Sequence, residues 1–166
     1  MTRASPLNRL VQAVAASRPG AWFFSRTLHH FDKLLLALSG GRLTVTSLLA
    51  GLPVVMVTTT GAKSGQPRTT PLICIQDPQA PATFALIATN WGQAHYPGWY
   101  HNLKARPEAT CRRGGRTARY RAHEAAGAEY DRFWSYAAAA YHGYPLYKQR
   151  ITGRHIPIMV MTPAED

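Results

Sequence analysis

The chain is short of cysteine, of acid and of long apolar runs, and each shortage closes off a class of protein. Cys74 and Cys111 are the only cysteines among 166 residues, with neither metal-like spacing nor the density of a disulfide-stapled secreted domain. A reducing, cytoplasmic compartment is the simplest home for them. The seven histidines are scattered, and none stands with Glu in the i, i+4 arrangement of a zinc helix, so no metal is expected. No apolar run approaches the roughly 20 residues a membrane-spanning helix requires. A cleavable signal peptide is not expected either.

Acidic residues number 8 against 19 Lys and Arg, for a formal charge of +11. Such an excess points to an anionic partner; nucleic acid, anionic lipid and a polyanionic cofactor all suit it, and charge alone does not separate them. The length and the 46% apolar content support one full core with an N-terminal appendage, divided here as 1–41 and 42–166. In the first part, Leu7, Leu10, Val11 and Val14 share one helical face beside Arg9 and Arg18. Trp22, Phe23, Leu28, Phe31, Leu34, Leu35 and Leu38 then recur among Arg26, His29, His30 and Lys33. Basic amphipathic helices of this kind either lie on an anionic membrane surface, here through residues 1–38, or cover one side of a core. Both readings stand. The first would put the protein on the inner face of the cell membrane.

Beyond Ser39-Gly40-Gly41 and Pro53, β-branched runs predict strands over 54–60, 68–75 and 83–89. A helix follows over 97–105 with Pro97 in its first turn. The runs 109–113 and 116–123 flank Gly114-Gly115 as a hairpin. Residues 127–141 read as a helix, 144–149 as a shorter one and 156–161 as a closing strand. Because helices do not alternate with strands, the pattern predicts a small antiparallel barrel, mainly β with α, and no parallel sheet.

Three clusters carry candidate chemistry. In Gly61-Ala62-Lys63-Ser64-Gly65-Gln66-Pro67-Arg68 the glycines let backbone N–H groups turn toward one oxyanion, with Lys63 and Arg68 as charged donors and Ser64 as a neutral one. The order is not that of a nucleotide-triphosphate loop, and an ordinary hairpin loop with solvated cations has the same composition. Arg112, Arg113, Arg116, Arg119 and Arg121 crowd the second hairpin, as a solvated face or as anion donors. Tyr141, Tyr144 and Tyr147 stand three apart, a spacing that serves packing as readily as chemistry.

Thr58 to Arg68, then Thr69-Thr70-Pro71-Leu72, Ala88-Thr89-Asn90-Trp91-Gly92 and Pro97-Gly98-Trp99-Tyr100-His101-Asn102-Leu103 occur together in this order. From about residue 53 to Pro163, ending on Gly153-Arg154-His155-Ile156-Pro157-Ile158, the chain resembles the deazaflavin-dependent nitroreductases. The resemblance implies a split β-barrel of the flavin-reductase type. It also implies coenzyme F-420, an 8-hydroxy-5-deazaflavin whose side chain carries a phosphodiester and an oligoglutamate tail, with FMN as the lesser alternative. By position in the family motifs, Gly61, Ala62, Lys63, Ser64, Gly65, Gln66 and Arg68 would hold the phosphate. Pro71, Thr89, Asn90, Trp91, Gly92, Trp99 and Asn102 would complete the cofactor site, and Tyr141, Tyr144 and Tyr147 would border the substrate. Asn90-Trp91 departs from a pattern that often has Lys or Gly there, which removes one cation from the tail.

The implied activity is hydride transfer from reduced coenzyme F-420 to a hydrophobic, electron-poor acceptor such as a quinone, with nitro compounds reduced adventitiously. Its alternative is a non-catalytic carrier of deazaflavin, flavin or fatty acid. A specific nucleic-acid role is not expected, because the aromatics form no stacking strand. The oligomeric state stays open.

Overall fold

A computed structural model of the chain describes residues 13, 14, 17, 19, 20 and 52–164. The expected amphipathic segment over 1–41, and with it the membrane-facing surface, falls almost wholly outside the described residues. No described helix is long and apolar enough to cross a membrane.

The elements run β1 (Val54–Thr60), β2 (Pro67–Ile73), β3 (Ile75–Gln76), β4 (Phe84–Ile87), α1 (Gly98–Ala105), β5 (Glu108–Arg113), β6 (Arg116–Glu124), α2 (Gly127–Ala140), α3 (Gly143–Arg150) and β7 (Ile158–Pro163). Every pairing is antiparallel, and the strand order is β2-β1-β5-β6-β7-β4-β3. Gly114 and Gly115, at φ 55° and 81°, make the left-handed two-residue turn that matches strand twist between β5 and β6.

The single strand expected over 68–75 is two strands. It breaks at Cys74, whose N–H donates to the Pro53 carbonyl at 2.9 Å. Before the break the chain pairs with β1, and after it with β4. The two ends of the strand order are therefore one continuous segment, and the sheet curls until they meet. This bend is the physical form of the split barrel, and it gives seven strands where six were expected.

Side chains alternate across the curled sheet with period two. Val55, Val57, Phe84, Leu86, Ala109, Cys111, Ala122, Met159 and Met161 point inward with Cys74, and α1 closes that interior with Trp99, Tyr100 and Leu103. Ala85, Ile87, Ile158 and Val160 point outward, beneath Phe133 and Ala137 of α2 and Tyr144 and Tyr147 of α3. β4 is thus buried on both faces, which explains its uninterrupted apolar sequence. Asp77 is 4% exposed and ties the β3 end to α2 through Arg132, at 3.4 Å.

Burial holds both thiols in the unreactive protonated form. It raises the Cys74 pKa, and with neighbouring Cys74 it pushes Cys111 up to about 12.

Candidate functional site

The β1–β2 connection is a turn whose backbone is largely self-satisfied. The Gly61 N–H donates to the Gln66 carbonyl at 2.9 Å and the Gly65 N–H to the Gly61 carbonyl at 2.8 Å. The Gln66 N–H reaches Ser64 Oγ at 3.3 Å. Asn102, from α1, accepts from the Ala62 N–H through Oδ1 and donates through Nδ2 to Thr59 Oγ1, both at 2.9 Å. Asn102 therefore fixes the turn against the helix. Only the Lys63 and Ser64 N–H groups carry no partner among the described residues.

Gly61 is required by close approach. A Cβ there would stand 2.6 Å from Ser64 Oγ and 3.6 Å from Arg68 Cγ, so its absence lets those side chains converge. Gly65 turns the chain at φ 67°, a region that glycine enters without steric cost. Lys63, Ser64 and Arg68 are exposed, and among the described residues no ion pair or cation–π contact engages the two cations. Anion capture needs such a charged, uncommitted group.

A second group forms where β4 ends. Asn90 and Trp91 both hold positive φ, 48° and 57°, and Gly92 follows at 80°. For the two non-glycine residues the left-handed region costs roughly 1–2 kcal/mol each. Arg154 maintains the loop against that cost. Its Nε and Nη2 donate to the Gln93 carbonyl at 3.2 and 2.9 Å. Nη1 donates to the Ala88 and His155 carbonyls at 3.2 and 3.1 Å, and Nη2 to the Thr89 carbonyl at 3.0 Å. The guanidinium also lies 4.7 Å from the Tyr96 ring centre. Asn90 Nδ2 adds a bond to the His95 carbonyl at 3.1 Å.

Against this loop pack the three tyrosines. Tyr141 and Tyr147 bring their hydroxyls to 3.1 Å in a buried pair. Tyr144 meets the Tyr141 ring edge-on at 5.3 Å, and Trp91 lies against the same cluster. Burial raises all three phenol pKa values, helped at Tyr144 and Tyr147 by neighbouring phenols. They are neutral hydroxyls at physiological pH, fitted to donate a hydrogen bond or a proton and unfitted to act as bases.

Two groups of expected site residues are thus each brought together. Gly61 to Arg68 cluster around Asn102, while Thr89, Asn90, Trp91 and Gly92 join the tyrosines. α1 with its leading loop connects the two groups along the chain. Pro71 is half-buried on β2 opposite Met56, and Trp99 is only 8% exposed in the barrel interior. Of the hairpin arginines, Arg116, Arg119 and Arg121 are exposed, while Arg113 lies over Phe84 and donates to the Pro81 carbonyl at 3.3 Å.

Arg150 and Arg154 received no role from sequence reasoning, although one signal was present. Arg150 continues the spacing of 141, 144 and 147, three residues on. A third cluster also went unremarked: Glu124 accepts from Lys104 at 3.0 Å, Tyr100 at 3.1 Å and His155 at 3.2 Å.

A sequence profile described as F420H2-dependent quinone reductase matches residues 28–163. The chain belongs to that family. An F420H2-dependent quinone reductase of Mycobacterium tuberculosis strain H37Rv is 37% identical over 119 residues, covering 66% of this chain and 73% of the relative. Among solved structures, an F420-H2 dependent reductase, FDR-A, aligns with TM-score 0.59 and 34% identity over 66% of this chain and 93% of its own. A second, described as a domain-swapped dimer, aligns with TM-score 0.61 and 28% identity over 86% of this chain and 98% of its own. The haem storage protein HutZ of Vibrio cholerae shares the fold alone, at 9% identity and TM-score 0.51, over 82% of this chain and 92% of its own.

Family membership makes the chain an oxidoreductase with coenzyme F-420 as its cofactor. The residues present fit that group. Exposed cations suit its phosphate and carboxylates, and a left-handed loop beside aromatic side chains suits a flat ring.

Proposed function

We propose that this F420H2-dependent reductase passes a hydride from coenzyme F-420 to a hydrophobic, electron-poor acceptor of the quinone class, nitro compounds being reduced adventitiously. The observation that carries this reading is the buried Tyr141–Tyr147 hydroxyl pair beside the strained Asn90–Gly92 loop. Bound, the reduced coenzyme supplies a hydride from its ring carbon five.

Lys63, Ser64 and Arg68 would grip the phosphate, with Asn102 holding the turn in shape. Trp91 and Gly92 would orient flat rings at the mouth of the tyrosine cluster, where placement counts for more than acid–base strength. Each buried phenol keeps its proton, so a hydroxyl can bond the acceptor's oxygen as negative charge develops there. Within the Tyr141–Tyr147 pair one hydroxyl donates to the other.

The test mixes pure protein with reduced coenzyme and a soluble menaquinone analogue and follows reoxidation in the visible. Turnover is expected; tight coenzyme binding without turnover across several acceptors would instead support a carrier in the same barrel. Repeating the binding step with FMN checks the cofactor preference.

We also place the chain in the cytoplasm, on the inner face of the membrane, where a lipid-soluble acceptor is available to it. The basic amphipathic pattern of residues 1–38 supports this placement. Full-length protein is expected to co-sediment with anionic liposomes, and replacing Arg9, Arg18, Arg26 and Lys33 with Gln is expected to release it. Equal sedimentation of the two would remove the membrane from the proposal.

A further inference from the structure

Arg150, at the C-terminal end of α3, makes no hydrogen bond or ion pair among the described residues. Its Cδ lies 3.7 Å from where a Cβ would stand on Gly92, and its guanidinium sits 5.8 Å from the Tyr147 ring centre. Its Nη1 is buried and has no hydrogen-bond partner.

Arg154, four residues on, makes the contrast, since its guanidinium donates to the carbonyls of Ala88, Thr89, Gln93 and His155. The acceptors near Arg150 are otherwise engaged. Tyr141 and Tyr147 bond each other, and three carboxylates are paired with other cations. Glu124 is held by Lys104 and His155, Asp77 by Arg132 and Glu129 by His123. Proteins rarely leave a buried charged donor unmet. Where one persists next to a candidate site, a ligand atom is its natural complement.

We propose that Arg150 Nη1 is a binding donor for a polarised or anionic oxygen on a flat conjugated ring, a carbonyl or phenolate oxygen, that reaches it beside Tyr147 and Gly92. This rests on the reading of that pocket as the reductase site. Hydride addition to a quinone places one negative charge on its ring oxygens, oxidises the coenzyme and leaves one proton to be supplied by a phenol or by solvent. A guanidinium 5.8 Å from the Tyr147 ring centre favours that charge more than it favours the neutral acceptor, which lowers the barrier.

A carbonyl on the coenzyme's own ring has the same chemistry, so the experiment separates the two sources. Pentafluorophenol, which ionises in the mildly acidic range, is titrated against full-length protein by fluorine NMR, with pentafluorotoluene as its neutral counterpart. Wild type is expected to bind the phenolate in preference to the toluene and to lower the apparent pKa of the bound phenol by about one unit.

Arg150→Met should lose that shift and about tenfold in phenolate affinity, keep its affinity for the toluene, and melt no lower than wild type because an unmet buried charge is gone. Arg150→Lys, which keeps the charge without the planar fork, should recover the affinity in part. Saturating oxidised coenzyme F-420 assigns the oxygen: displacement of the phenolate places it on the coenzyme, and retention places it on the acceptor.

Equal phenolate affinity in wild type and a folded Arg150→Met, or no preference of wild type for phenolate over toluene, overturns the proposal. Coenzyme binding measured on the same samples keeps the outcomes distinct. Wild type that binds no coenzyme F-420 undoes the functional reading, whereas normal coenzyme binding with an unresponsive Arg150 undoes this inference alone.

Discussion

The Gly61–Arg68 turn and the Asn90–Gly92 loop are both anchored by a long-range side chain, but they are anchored for opposite purposes. In the turn, Asn102 satisfies backbone groups while Lys63 and Arg68 are exposed and have no ion-pair partner among the described residues. In the loop, Arg154 satisfies carbonyls so that backbone strain and buried hydroxyls persist together. The first arrangement would separate affinity from stability, because its cations have no ion-pair partner among the described residues. The second merges chemistry with stability, because each side chain that shapes the pocket also fills the outer core.

The sharpest way to break the comparison is Arg154→Ala. It deletes the donors that hold four carbonyls and leaves Asn90 and Trp91 in a costly conformation with nothing to impose it. A loss of about 3 kcal/mol is expected from charged hydrogen bonds of this kind, seen as a melting temperature lower by roughly 10 °C. Turnover should collapse with it. A variant that melts like wild type would show that the loop needs no clamp.

Gly143→Ala comes next. A Cβ on Gly143 would overlap the Tyr141 ring and hydroxyl, so the ring must move and its bond to Tyr147 must break. Overpacking of this kind costs about 2 kcal/mol. The expected signature is a changed near-ultraviolet circular dichroism spectrum from the tyrosines, with coenzyme affinity at the distant turn preserved. Equal loss of coenzyme affinity would mean that the two regions are not separable.

The reverse experiment is Lys63→Ala combined with Arg68→Ala. Coenzyme binding should weaken about tenfold or more from two lost charge-assisted contacts, and the loss should shrink as salt rises. The melting temperature should not move, since neither cation has a partner among the described residues. A fall in stability to match Gly143→Ala would make the turn structural, and wild-type affinity would dismiss its assignment.

What could be read from the sequence divides along similar lines. β1, the Gly114-Gly115 hairpin and α2 follow from local rules: a β-branched run, a glycine pair between strands, an alanine-rich amphipathic stretch. The break at Cys74 does not, because Thr69 to Ile75 is one apolar β-branched run, and only its change of partner from β1 to β4 divides it. In the turn, composition announced the approach of Ser64 and Arg68 at Gly61. It could not reveal that Asn102 takes up the Ala62 N–H, which reduces the anticipated nest to two donors. Asparagine tolerates a left-handed backbone and tryptophan resists one, so Trp91 at φ 57° is decided by Arg154, more than sixty residues away. Such non-local causes leave no periodic trace.

The smallest effect belongs to the frame that both regions share. Glu124 of β6 ties down Tyr100 and Lys104 of α1 and His155 ahead of β7. Burial raises its pKa, but hydrogen bonds from Lys104, His155 and Tyr100 outweigh burial and hold it below the ordinary carboxylate value. A depressed folded-state pKa contributes stability that is present above the unfolded value and lost as pH falls through the folded one. The wild type should therefore lose this contribution in acid, below about pH 4, and Glu124→Gln should flatten that limb while costing about 1 kcal/mol or less at neutral pH. The opposite limb offers an independent reading. Burial and then the Glu124 charge push Tyr100 up to about 12, so removing the charge should let that phenol ionise at lower pH in an ultraviolet titration. An unchanged acid limb together with an unmoved Tyr100 would mean that Glu124 does not bind the frame electrostatically, and that Trp99, Leu103 and the Asn102 hydrogen bonds hold α1 to the barrel.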